Sequence, residues 1–296
     1  MTQLTHWQLE QDNDQVLWAK LDKKNASVNT INDEILTELE SICDRIQKGN
    51  YSGLVILSGK KKGFIAGADI EHFSKFKDSS EVVEFLKKGQ RIFDELENLT
   101  VPTVAMIDGF CMGGGLELAL ACDYRIASTE NHTRLGLPEI LLGIHPGWGG
   151  TVRLPKLIGG FNAVSKVILT GRSFRASSAK KIGFIDEVVA LRQLVPAVKY
   201  FINNKPSKHT PTFLASLSNQ RLARQLLSKL IKKKLANKVN FQHYPAFKAV
   251  VDIWEKEGGL GKHAQTVEAD SIAGLISKND TSKNLIRAYF LRDKMK

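Results

Sequence analysis

Between residues 16 and 182, short apolar runs alternate with stretches whose apolar residues recur every three or four positions. That alternation of a strand period with a helix period restricts the chain to layered α/β architectures. Residues 16–21, 54–57, 103–107 and 124–127 read as strands. Ile31, Ile35, Leu39, Ile42 and Ile46 fall on one face of a helix that Asn29, Thr30 or Asn32 can cap. Val82, Phe85, Leu86, Ile92, Phe93 and Leu96 mark a second helix. Residues 116–121 form a short apolar helix, and 163–169 and 178–182 are expected to be helical.

The pattern changes near residue 204. Asn203-Asn204-Lys205-Pro206 and Thr210-Pro211 are turn signals, and beyond them the strand-like runs fade. Helical runs are expected at about 213–236, 245–257, 264–277 and 281–295. The chain therefore divides on paper into an α/β part, 1–204, and an all-helical appendage, 205–296. Charge divides it in the same place. Residues 1–204 carry 24 Lys+Arg and 24 Asp+Glu, whereas residues 205–296 carry 18 against 7, so the entire net charge of +11 sits in the tail. A basic region of this kind suits a phosphate-bearing ligand, nucleic acid, an anionic membrane or an acidic protein.

Several classes are set aside. The N-terminus is polar and lacks the basic and apolar regions of a signal peptide, and no run approaches the length of a membrane span. Cys43, Cys111 and Cys122 are odd in number and widely spaced, which suits reduced thiols in a cytoplasmic protein better than a disulfide framework or a zinc site.

Three segments join small residues to a carboxylate: Phe64-Ile65-Ala66-Gly67-Ala68-Asp69-Ile70, then Gly113-Gly114-Gly115-Leu116-Glu117, then Leu137-Pro138-Glu139 running on to Pro146-Gly147-Trp148-Gly149-Gly150-Thr151. The glycine triplet follows a strand and opens a helix, where amides without an internal partner point outward and favour negative charge. A tight strand-to-helix turn is the plainer reading. The glycines do not fit the dinucleotide fingerprint, and in the stretch around Gly258–Lys262 a lysine and a histidine stand where a P-loop needs Gly and Ser/Thr. Glu117 and Glu139 each lie among apolar neighbours, where a carboxylate is costly to bury without a partner.

In order and approximate spacing, A-G-A-D, G-G-G-x-E and L-P-E with P-G-x-G-G-T-x-R-L resemble the crotonase, or enoyl-CoA hydratase/isomerase, superfamily over about residues 10–200. The resemblance implies a spiral of ββα repeats forming two sheets flanked by helices. It implies that the backbone amides of Ala68 and Gly114 form an oxyanion hole for a thioester carbonyl, with Gly113 among the substrate-binding positions. It also implies that Ala66 and Ile70 line the adenine pocket of coenzyme A, and that Gly147 lies near the catalytic water. Glu117 matches the glutamate that activates water, and Glu139 the one that protonates the α-carbon. Both glutamates are kept by members that hydrate, so the expected reaction is hydration of trans-2-enoyl-CoA in fatty-acid β-oxidation. A Δ3–Δ2 isomerase activity using Glu139 stays open, as does a remote reading as an RNA-binding homologue through the basic run 229–238. His145 departs from the aliphatic residue usual there; it either packs beside Pro146 or tunes the nearby water.

His243-Tyr244-Pro245-Ala246 and residues 281–291 resemble the linker of the multifunctional fatty-acid oxidation α-subunit. The resemblance implies an NAD-binding dehydrogenase half beyond this chain and an associated thiolase subunit, with no cofactor in the chain itself beyond the coenzyme A carried by its substrate. It allows contact with a membrane surface.

Overall fold

The repeating unit is two strands and a helix; the first repeat places both strands in one sheet, and the later repeats contribute one strand to each of two sheets. The computed structural model describes residues 4–70, 76, 78–259 and 261–294. Strands β1 (Trp7–Gln11) and β2 (Val16–Leu21) form an antiparallel pair, followed by helix α1 (Asp33–Lys48). β3 (Gly53–Ser58) and β4 (Gly63–Ile65) precede α2 (Ser79–Glu97). β5 (Thr103–Ile107) and β6 (Phe110–Met112) precede α3 (Gly114–Ala121). β7 (Tyr124–Ser128) and β8 (Arg134–Gly136) lead through a 3-10 turn, Pro138–Leu142, to α4 (Gly150–Ile158). β9 (Ser173–Arg175), α5 (Ala176–Ile182), β10 (Glu187–Val189) and α6 (Leu194–Asn204) complete this part.

The six-stranded sheet runs β1-β2-β3-β5-β7-β10 and the four-stranded sheet β4-β6-β8-β9. Strands β2, β3, β5, β7 and β10 pair in parallel. Parallel strands are covered on both faces, and every residue of β7 is buried accordingly. One face carries Val16, Val55, Val104, Tyr124 and Ile126, packed against Leu194, Val198 and Ile202 of α6. This is the crotonase fold expected from the motifs.

The chain separates into two compact units, each built from distant segments. The first holds residues up to 69, 88–135 and 174–209; the second holds 70–87, 136–173 and 210 onward. The helical tail is thus grouped with the 136–173 segment. It consists of α7 (Phe213–Leu217), α8 (Arg221–Ala236), α9 (Pro245–Glu257), α10 (Gly261–Lys278) and α11 (Asp280–Lys294). The single helix read from 213 to 236 is broken, because Ser218 and Asn219 serve another segment. Ser218 Oγ accepts from Phe161 N–H (3.1 Å), and Asn219 Nδ2 donates to Pro155 O (2.9 Å). Within α8, Arg224, Ser228 and Ile231 are the buried positions, whereas Leu222, Leu226 and Leu230 are 80%, 64% and 57% exposed. These three leucines, four residues apart, therefore face outward. Of the basic run 229–238, Lys232 is taken up by ion pairs with Asp252 (2.6 Å) and Glu255 of α9. No helix of the described residues is long and apolar enough to cross a membrane.

Asn32 is the cap of α1: its side chain accepts from Ile35 N–H at 3.0 Å. Asn29 has a different task. Its buried amide donates to Leu21 O (2.9 Å), Ser58 Oγ (2.9 Å) and Phe64 O (3.1 Å), and its oxygen accepts from Lys23 N–H (2.9 Å). One side chain thereby ties the ends of β2, β3 and β4. Replacing Asn29 by Ala leaves buried carbonyls without donors, so the unfolding free energy should fall by about 1–3 kcal/mol. Denaturant melts would show this as a lower midpoint at constant slope; an unchanged midpoint would mean the amide contributes nothing.

Candidate active site

Strands β4, β6 and β8 each hand the chain to one of the three motif segments: Ala66–Ala68 follows β4, Gly113–Glu117 follows β6, and Leu137–Glu139 follows β8. The first unit contains Ala66, Ala68, Gly113, Gly114 and Glu117; the second contains Ile70, Glu139 and Gly147.

In the first unit, parallel pairing of β4 with β6 sets the two loops side by side. Ile31 N–H donates to Gly67 O (2.9 Å) and Asp69 N–H to Ile31 O (2.8 Å), a parallel bridge centred on Ala68. In such a bridge the central residue's own N–H points to the opposite side, so Ala68 directs its amide away from Ile31. Ala66 N–H is spent on Asn29 O (2.8 Å). Gly114 is the first residue of α3, after Gly113 at φ 52°; its amide is one of those a helix leaves without an internal partner. A Cβ built on Gly67 would lie 3.7 Å from Gly114 N, which puts the two segments in contact. Gly115 makes this possible: a Cβ there would lie 2.5 Å from Ile65 O. The result is two backbone donors on adjoining strand ends, the arrangement that suits an oxyanion.

Glu117 sits in the first turn of α3 and is 2% exposed. The helix dipole favours its charge there, in a helix otherwise wholly buried and apolar.

In the second unit, Glu139 belongs to the turn Pro138–Leu142, closed by Gly143 at φ 73° with Gly143 N–H donating to Ile140 O (3.1 Å). Part of the residue reaches solvent, but its Oε2 is buried with no hydrogen-bond partner among the described residues. Burial first, and then the charge of Glu268, push its carboxyl up to about 8. At neutral pH it is a held proton. His145 is also buried. Its Nδ1 lies 2.8 Å from Pro146 O and its Nε2 2.9 Å from Ser271 Oγ. Burial lowers it to about 4, so it is a neutral imidazole. With the proton on Nδ1 for the carbonyl, Nε2 accepts from the serine hydroxyl. Gly147 is close-packed: a Cβ would lie 2.4 Å from Ile272 Cδ1.

The model of the enoyl-CoA hydratase/isomerase family matches residues 11–256. The chain belongs to that family. Fatty acid oxidation complex subunit alpha of Aliivibrio fischeri is 38% identical over 290 residues, covering 96% of this chain and 42% of that protein. The corresponding subunit of Vibrio parahaemolyticus is 36% identical and covers 100% and 42%. The chain thus spans less than half the length of the curated relatives it matches. Among solved structures, an enoyl-CoA hydratase from Bacillus anthracis is 25% identical with a TM-score of 0.62, covering 97% of each chain. One from Bacillus halodurans has a TM-score of 0.68 at 20% identity, covering 96% and 100%, and so supports the fold alone.

Each unit also brings residues outside the motifs against its own motif segments, in roles that sequence reasoning missed. Asn29 anchors Ala66, while Glu268, Ser271, Ile272 and Ser282 touch the 143–151 segment. Glu268 carried a signal: it stands in the apolar stripe Ala264, Glu268, Ile272, Leu275, where a carboxylate has no reason to be unless it is bonded. Gly115→Ala tests the contact of the two loops. Its methyl would force α3 off β4, so stability should drop by about 1–3 kcal/mol in denaturant melts. A variant of native stability would show that the close approach is unnecessary.

Proposed function

We propose that this chain hydrates trans-2-enoyl-CoA to 3-hydroxyacyl-CoA and serves fatty-acid β-oxidation. The observation that carries the reading is Glu139, a carboxyl whose buried Oε2 has no hydrogen-bond partner among the described residues and whose burial favours the protonated form, in a family named for this chemistry. Hydration needs a proton donor for the α-carbon and a base for water. Glu139 supplies the first and Glu117 the second. Glu117 takes a proton from water as the hydroxyl oxygen bonds to the β-carbon. The π electrons shift toward the thioester, and the oxygen's growing negative charge is met by the amides of Ala68 and Gly114. As that enolate-like charge returns, Glu139 delivers its proton to the α-carbon. Glu117 ends protonated and Glu139 ionised, and solvent exchange resets both. Ala66 and Ile70 are assigned to the adenine end of coenzyme A, with Gly113 and Gly147 against the acyl thioester and the water.

A second reading rests on the same residue. A carboxyl poised at about 8 can both give and take a proton, as a Δ3–Δ2 isomerisation requires, so a 3-enoyl-CoA belongs in the substrate panel. The relatives are named as subunits of a fatty acid oxidation complex. The exposed Leu222, Leu226 and Leu230 are the surface we assign to a partner in such a complex, whether a dehydrogenase half or a thiolase subunit. NAD is assigned to a dehydrogenase half and not to this chain.

Glu117→Gln and Glu139→Gln should each lower hydration of crotonyl-CoA by at least ~100-fold while acyl-CoA binding persists. Because Glu139 must be protonated, kcat/KM in the wild type should fall as pH rises through about 8. Either variant turning over at the wild-type rate would sink the mechanism. Proline is tolerated in the first turn of a helix but has no N–H. Gly114→Pro should therefore fold, bind and fail to turn over; a folded variant of normal activity would refute the oxyanion assignment.

A further inference from the structure

We propose that Glu268, on tail helix α10, is a positioning residue for the loop that carries Gly147, which it holds by accepting from the backbone amides of Gly149 and Thr151. The inference rests on the hydratase reading above and adds a residue that none of the motifs contains.

Glu268 is fully buried. Its Oε1 accepts from Gly149 N–H at 2.6 Å, and its Oε2 accepts from Thr151 N–H at 3.0 Å and from the Thr151 hydroxyl. These amides begin α4, where donors lack helical partners and the dipole favours an anion. The anion here comes from more than a hundred residues away in sequence. The rest of the tail follows the same segment. Ser282 Oγ donates to Gly143 O (2.7 Å), Ser271 Oγ meets His145 Nε2, and Ile272 fills the place a side chain on Gly147 would need. Five residues of the 143–151 segment, Gly143, His145, Gly147, Gly149 and Thr151, therefore rest on α10 and α11.

The second consequence is electrostatic. The turn 138–142 packs against residues 168–170, which have no titratable side chain, and against α11, which presents Ser282 and Leu285 to Gly143. Arg153, on α4, directs Nη1 to Trp148 O (2.9 Å), and His145 is neutral. The packed helix α11 also carries Asp280, Lys283 and Arg287, and among the described residues Glu268 is a charged group that acts on Glu139, with a sign that favours the protonated acid. One carboxylate thus both sets the loop and helps to keep the proton on its neighbour.

The test uses Glu268→Gln, which keeps volume and removes charge, and Glu268→Asp, which keeps charge but withdraws it by one methylene. In Glu268→Gln the alkaline limb of kcat/KM should move to lower pH by about one unit, the low end of a near charge's effect. In Glu268→Asp the limb should stay in place while kcat falls about 10-fold or more with KM little changed, as expected of a displaced reacting group. Carbon-13 carboxyl spectra, assigned with Glu139→Gln, read the Glu139 titration without any turnover. An inactive wild type whose Glu139 titration moves in Glu268→Gln supports the role of Glu268 and rejects hydration. An active wild type whose limb and titration ignore Glu268→Gln overturns the proposal. If Glu268→Gln does not fold, a Glu268→Asp protein with wild-type kcat overturns it equally.

Discussion

The approach of α3 to β4 governs the chemistry available in the first unit. A backbone amide becomes a donor to a ligand only if nothing in the protein has claimed it and the chain leaves room for the acceptor. The segment after β4 spends the amides of Ala66 and Asp69 on Asn29 O and Ile31 O, and the parallel bridge at Ala68 turns that residue's N–H away from Ile31. The helix start frees Gly114 N–H. Neither would be useful alone, and they adjoin because Gly115 places hydrogen where any other residue would put a carbon 2.5 Å from Ile65 O. Glu117 then follows at a fixed helical offset from the donors, so one steric requirement sets the positions of two amides and a carboxylate.

Which parts of this were readable in the sequence follows from how much pattern each part contains. The strand at 16–21, that at 103–107 and the helix spanning Ile35–Ile46 hold several apolar positions each, enough to show a period. Strands β4, β6, β8 and β9 have three residues apiece and place one or two side chains on a face, so no period exists to be counted. They hide inside the motif loops they create. The motif carboxylates stood out because Glu117 follows a glycine triplet and both glutamates lie among apolar neighbours. Glu268 gave only the weaker sign of a carboxylate in an apolar stripe, and two of its partners are backbone amides, which have no letter in a sequence. Helix α8 shows that apolar letters alone do not mark an inner face: Leu222, Leu226 and Leu230 are exposed while Arg224 and Ser228 turn inward, with Arg224 Nη1 reaching Trp254 O at 3.2 Å.

Buried carboxylates stay in a fold only when the environment either neutralises them or bonds them. The second unit does both, with opposite outcomes. Glu268 accepts from Gly149 N–H, Thr151 N–H and the Thr151 hydroxyl, the setting of an ionised carboxylate. The buried oxygen of Glu139 has no donor among the described residues, the setting of a neutral acid. Two like groups pushed apart in this way give one fixed charge and one mobile proton, a division of labour that enzymes use to run acid chemistry at neutral pH.

The same bonding explains why the tail packs as it does. An apolar residue at position 268 would leave the amides of Gly149 and Thr151 buried and unpaired, at a cost of about 1–3 kcal/mol each. The contacts of Ser271 and Ser282 add further polar points with defined geometry. Such contacts fix the register of α10 and α11 on the 143–151 segment more tightly than apolar packing alone, because a shift of one residue would break all of them at once. With register assured by the inner face, the outer face of the tail is released from any role in folding. That is where Leu222, Leu226 and Leu230 lie, and an apolar stripe that folding does not need is free to be specified by what it binds.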